Sequence, residues 1–167
     1  MELIKLIFLD IDGVLNSETF YKNKSENELF KEEGYPLCEI DPSAIEKINI
    51  IIRQTGTKVV ISSSWRLGRT IKYLQDIFNK KGCIGTIVGV TPHLKYTGSD
   101  NTVPRGCEIE EYLNTNFNYD VKTNIKYVII DDDIDMLFYQ KDHFLHTTEY
   151  DGITDVIVTK AINLLNQ

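Results

Sequence analysis

LIFLDIDGVLN, residues Leu6 to Asn16, is the stretch whose reading decides the fold. It continues an apolar run that opens at Leu3 and is interrupted only by Lys5 before Asp10, Asp12 and Gly13. A short apolar run bounded by a turn signal reads as a buried strand of a parallel sheet. Residues two apart in an extended chain project to the same side. Asp10 and Asp12 therefore belong together at the carboxyl end of that strand, where open α/β sheets bind their ligands. Adjacent carboxylates repel, and burying an unpaired charge is costly. A divalent cation with oxygen ligands is the simplest partner for such a pair. The plain alternative is a strand that ends in an Asp-Gly turn.

Outward from this stretch, strand and helix patterns alternate. Lys58–Ser62 (KVVIS) reads as a second strand and runs into Ser62-Ser63-Ser64-Trp65-Arg66. Cys83–Val90 reads as a third, Lys126–Ile130 as a fourth and His143–Thr147 as a short fifth. The fourth ends in Asp131-Asp132-Asp133-Ile134-Asp135. Between them, Asp41 is placed to cap a helix with Pro42 at its first position. Ile45, Ile48, Ile51 and Ile52 give that helix an apolar stripe, and Gly56 ends it. Further helices are expected over Thr70–Lys80, Glu108–Asn114 and Thr154–Leu165, with Arg105-Gly106 just ahead of the second of these. The alternation predicts an α/β fold with a parallel five-stranded sheet flanked by helices and joined by right-handed crossovers. Residues 17–40 are polar and irregular. A loop of that length is usually functional or mobile. We read it as a flap over the end of the first strand, with a short helix around Glu26–Glu33, or alternatively as a surface insertion.

Composition bounds the answer. With 167 residues, 42% hydrophobic and 26% charged, the chain fits a single globular domain over 1–167 with a full core. No apolar run approaches the roughly 20 residues of a membrane span, and no signal peptide is recognised. Cys38, Cys83 and Cys107 are scattered, without a CxxC, which argues against a disulfide framework or a zinc site. Free thiols in a cytoplasmic protein, and a monomer, are the expectation. A net charge of −7 argues against sequence-independent binding of nucleic acid across the whole surface.

In a parallel sheet all strand carboxyl ends share one edge, so Asp10 and Asp12, Ser62 to Ser64, and Asp131 to Asp133 can meet there. Carboxylates from two strands suit Mg²⁺, which takes one or two protein carboxylates together with a substrate phosphate. Asp10 can then attack phosphorus, and Asp12 can protonate the leaving oxygen and later activate water.

This ordered set resembles the haloacid dehalogenase-like (HAD) superfamily, and the resemblance covers nearly the whole chain. FLDIDGVLN matches its first motif, VVISSSWR its second and YVIIDDDID its fourth. The resemblance implies a Rossmann-like HAD fold and Mg²⁺-dependent hydrolysis of a phosphate monoester through an aspartyl-phosphate. The short insertions leave room for only a minimal cap, the flap after the first strand. Asp10 and Asp12 are implied as catalytic. Asp10, Asp12, Asp131 and Asp132 are implied around the metal, Asp12 through its main-chain carbonyl. Counting back from Trp65 puts Ser63 in the phosphate-binding place with Ser64 beside it, and Ser62 as the fallback. The family's third-motif lysine has no match. Similar small HAD proteins associated with nucleic-acid repair carry an Arg-Gly-x-Glu-Ile stretch, which assigns the role to Arg105, with Lys95 the alternative. That likeness makes a phosphorylated nucleic-acid end the leading substrate, as for a polynucleotide 3′-phosphatase. The competing readings are a small-molecule or nucleotide phosphatase, and a non-catalytic HAD domain that binds a phosphorylated partner. Trp65 is expected to pack beneath the active edge rather than stack on a base. Arg66 is left between a distal phosphate and a carboxylate. His93, His143 and His146 show no ligand spacing. Asp133 and Asp135 are expected to cap the following helix or to orient the metal ligands.

Overall fold

The apolar run after Leu3 forms strand β1 (Ile4–Leu9), which sits in the middle of the sheet. A computed structural model of the chain describes residues 3–23, 36–117 and 124–167; the helix expected around Glu26–Glu33 lies outside them. The other strands are β2 (Lys58–Ile61), β3 (Ile87–Val90), β4 (Ile125–Asp131) and β5 (Phe144–His146). Their order is β3-β2-β1-β4-β5, and every pairing is parallel. This is the five-stranded α/β sheet that the alternation predicts.

The described helices are α1 (Glu18–Lys22), α2 (Pro42–Thr55), α3 (Ile71–Lys80), α4 (Arg105–Phe117) and α5 (Asp155–Asn166). Ser17, Asp41, Thr70 and Thr154 cap α1, α2, α3 and α5 with side-chain oxygens. Each such cap satisfies an orphan N–H and contributes about 1 kcal/mol.

The strands are apolar on both faces because helices cover both faces. Ile7, Leu9, Val59, Ile61, Val128 and Ile130 pack against α2, α3 and α5. Their alternates Leu6, Phe8, Val60, Tyr127 and Ile129 pack against Ile109, Tyr112 and Leu113 of α4. Phe8 meets Tyr112 and Tyr127 edge-on at 5.6 and 5.7 Å, a favoured aromatic geometry. Burying each such side chain contributes about 1.5–3 kcal/mol, so the floor of the site is rigid.

Two element starts differ from expectation by three or more positions, for physical reasons. β3 begins at Ile87 rather than Cys83. The amides before it are taken elsewhere: Cys83 N–H donates to Phe78 O, Ile84 N–H to Asn49 Oδ1 and Gly85 N–H to Cys83 Sγ. α4 starts at Arg105, three positions before the expected Glu108. Its first amide, Arg105 N–H, donates to Asp135 Oδ2 at 2.8 Å. The cap comes from a residue remote in sequence, so no local pattern announces it.

Candidate active site

The register between β1 and β4 pairs Leu9 with Ile130. One step further, Asp10 N–H donates to Ile130 O at 3.0 Å, which sets Asp10 beside Asp131, the last residue of β4. One carboxylate oxygen from each of Asp10, Asp131 and Asp132 lies within 4.8 Å of the others. Asp10 is 6% exposed and Asp131 is fully buried. Burial pushes the Asp10 carboxyl up to about 6, against lowering by a Ser63 hydrogen bond and the Arg105 charge. Asp131 is pushed up to about 8, by burial first and by the Asp10 charge second. Burial raises Asp132 as well, with Asp133, Glu149 and Asp12 adding to it.

Asp131 Oδ1 accepts the Asp133 N–H at 3.0 Å. Its buried Oδ2 has no hydrogen-bond partner among the described residues, and Arg105 lies near it, with Nε 3.8 Å away. A buried carboxylate oxygen without a donor costs on the order of 1–3 kcal/mol or more. A bound cation removes that cost. The donors are all carboxylate oxygens, which suits a hard divalent ion such as Mg²⁺.

The turn after β1 shapes the other wall. Gly13 has φ 65°, and a Cβ there would lie 2.2 Å from Asp132 Oδ2. Only glycine lets the main chain come so near that carboxylate. Gly13 N–H donates to Asn16 Oδ1 at 2.9 Å, and Thr147 Oγ donates to Gly13 O at 3.0 Å. The Asp12 side chain is exposed and is not one of the three clustered carboxylates. Asn16 Nδ2 donates to its Oδ1 at 3.0 Å, and the Trp65 indole N–H reaches both oxygens at 3.1 Å.

Ser63 is fully buried at the end of β2 and caps a short 3₁₀ turn, Ser64–Arg66. Its Oγ accepts the Trp65 N–H at 3.3 Å, and its side chain lowers the Asp10 carboxyl against the effect of burial. Ser62 is also buried, but its hydroxyl has no partner among the described residues, while its N–H donates to Leu9 O. Ser64 is exposed and lines the clefts on both sides of the turn. Trp65 does pack in the core, as expected. Arg66 takes the carboxylate: Nη2 pairs with Glu108 Oε2 at 2.5 Å, and both side chains are buried. Its other donors go to Thr91 O, Ser63 O and Pro92 O. The guanidinium thus ties the Ser63 turn to α4.

Arg105, the first residue of α4, flanks the acidic cluster. Gly106 makes this position possible, because a Cβ there would lie 2.4 Å from Leu137 N. The buried Gln140 donates to Gly106 O at 2.9 Å and locks the helix start in place. Lys95 pairs instead with Asp100 at 3.2 Å in the 91–104 loop. Asp135 caps α4, the preceding helix, rather than a following one. Asp133 serves the cluster through its N–H to Asp131. Sequence reasoning missed the indole–Asp12 contact, the buried Glu108, and His146, whose Nε2 lies 2.8 Å from Asp132 O. Asn16, four positions after Asp12, was the one signal close enough in sequence to find.

No curated protein matches the chain significantly. The family model for the HAD domain in Swiss Army Knife RNA repair proteins matches residues 6–158. That span takes in β1 from Leu6 onward, β2 to β5 and every side chain of the site just described, so the chain belongs to this family of HAD domains.

Proposed function

We propose that this domain is a Mg²⁺-dependent phosphatase that hydrolyses a phosphate monoester through an aspartyl-phosphate on Asp10. The observation that carries the proposal is the cluster of Asp10, Asp131 and Asp132 at one sheet edge, with Arg105 against it. Asp10, Asp132 and the Asp12 main-chain carbonyl would hold Mg²⁺, with Asp131 beside them. Bound there, the ion would offset the repulsion between the carboxylates and a phosphate dianion.

The residues then divide the work. Arg105 and the Ser63–Ser64 turn hold the phosphate oxygens. Asp10 forms a bond to phosphorus as the bond to the leaving oxygen breaks, and that oxygen takes a proton from Asp12. Water next attacks phosphorus and gives its proton to Asp12. The Asp10–phosphorus bond breaks, and inorganic phosphate leaves with both aspartates restored.

The substrate we propose is the 3′-phosphorylated end of a nucleic acid, RNA first, because the family's domains occur in RNA repair proteins. The test is a panel assayed with Mg²⁺: 3′- and 5′-phosphorylated oligonucleotides, mononucleotides and sugar phosphates. Preference for the 3′-phosphorylated RNA supports the proposal. Preference for mononucleotides or sugar phosphates keeps the chemistry and moves the substrate. No hydrolysis of any member overturns the phosphatase reading.

A further inference from the structure

We infer that Trp65 is a positioning residue for proton transfer, holding the Asp12 carboxylate through its indole N–H; the inference rests on the phosphatase reading above. Asp12 lies at the exposed lip of the site, where an unrestrained carboxylate samples several rotamers. Proton transfer requires it within hydrogen-bond reach of the leaving oxygen. The indole N–H is a donor only, so it can hold the carboxylate without competing for the proton in transit. It lies 3.1 Å from both oxygens, and Asn16 Nδ2 fixes one of them from a second direction at 3.0 Å. Together they set both the place and the plane of the carboxylate.

The anchor is rigid. Trp65 is 8% exposed and belongs to the main core cluster. The Arg69 guanidinium covers its ring at 5.2 Å from the centroid. Its main-chain N–H donates to Ser63 Oγ at 3.3 Å. One residue therefore contacts both the Ser63 turn and the Asp12 carboxylate. A loss of alignment of about 1 Å can cost on the order of 10²-fold in rate.

Trp65→Phe removes the N–H and keeps most of the ring. The discriminating readout is kcat/KM on two substrates with Mg²⁺: p-nitrophenyl phosphate, whose leaving group departs unprotonated, and a 3′-phosphorylated RNA oligonucleotide, whose leaving alkoxide needs the proton. We expect a loss of about 10- to 100-fold on the RNA end and less than about threefold on the aryl ester. Equal losses on both overturn the positioning role and leave the phosphatase reading intact. A wild type inert toward both substrates removes that reading, and the positioning role with it. A second measurement leaves the ring in place. Trp65 is the only tryptophan of the chain, so the wild-type protein gives one indole N–H resonance. Asp12→Ala should move it upfield, as the bond to the carboxylate is lost. A resonance that Asp12→Ala leaves unmoved overturns the inference even if Trp65→Phe fails to fold.

Discussion

Gly13→Ala separates the site from the fold. The added Cβ would lie 2.2 Å from Asp132 Oδ2 and 2.3 Å from its Cγ. Ordinary contact is about 3.5 Å, so the carboxylate must retreat by more than about 1 Å. It can do so by rotating, because the clash is with the end of a side chain. The backbone cost is the φ of 65°, which an alanine adopts at about 1–2 kcal/mol. At about 2–4 °C per kcal/mol for a chain of this size, melting should fall by about 2–8 °C and the fold should survive. The loss at the metal is larger. Saturating Mg²⁺ at about a hundred times its Kd should stabilise the wild type by about 2.7 kcal/mol, and Gly13→Ala should lose most of that gain. Turnover should fall by on the order of 10²-fold, the usual effect of misplacing a reacting group by that distance. The assay is thermal melting across a Mg²⁺ titration, beside kcat/KM on one phosphate monoester. A variant with the wild-type Mg²⁺ midpoint and the wild-type rate would refute the placement of Asp132 at the metal.

Glu108→Ala strands the buried Arg66 guanidinium and should cost about 3–5 kcal/mol in chemical denaturation; replacing both partners, Arg66→Met with Glu108→Leu, should recover only part of it, because the carbonyls of Thr91, Ser63 and Pro92 then lose their donor, and a single variant as stable as the wild type contradicts the pairing. Arg105→Ala should lower turnover by orders of magnitude and Arg105→Lys should recover part, whereas Lys95→Ala, which breaks only the exposed contact to Asp100, should stay near wild type. A dead Lys95→Ala beside a normal Arg105→Ala reverses that assignment. Stability of the metal-free protein should depend on pH with a definite sign. Asp10 and Asp131 are raised from 3.8 to about 6 and about 8, so the folded state keeps protons that the unfolded state has released. Their contribution is therefore most favourable below the ordinary value and is lost as pH rises through about 6 and then about 8. Melting in chelator should fall over that range more than for Asp131→Asn, and Mg²⁺ should stabilise more at the alkaline end. The same slope in both proteins counts against the buried pair.

The site's skeleton was legible in the sequence because it is written in strand ends. The runs before Asp10, Ser62 and Asp131 are apolar on both faces, which reads as a buried parallel sheet, and such a sheet brings its carboxyl ends together. What was not legible are contacts made by long side chains across the edge. Nothing near Trp65 in sequence says that its ring nitrogen meets Asp12, and nothing near Arg66 points to Glu108. The start of α4 was misplaced for the same reason, since its cap, Asp135, comes from the loop after β4. Local pattern reports what one segment buries; it does not report which remote donor meets which acceptor.

The measurement closest to the central claim follows the phosphoryl group itself. A 3′-phosphorylated RNA oligonucleotide labelled in its terminal phosphate is mixed with the protein and Mg²⁺, quenched in acid within a turnover, and the chain is examined for covalent label. The account predicts label on the wild-type chain at Asp10, more of it in Asp12→Asn if the water step slows more than the first, and none in Asp10→Asn. Phosphate released at the full rate by Asp10→Asn, or label carried by another residue, would contradict it.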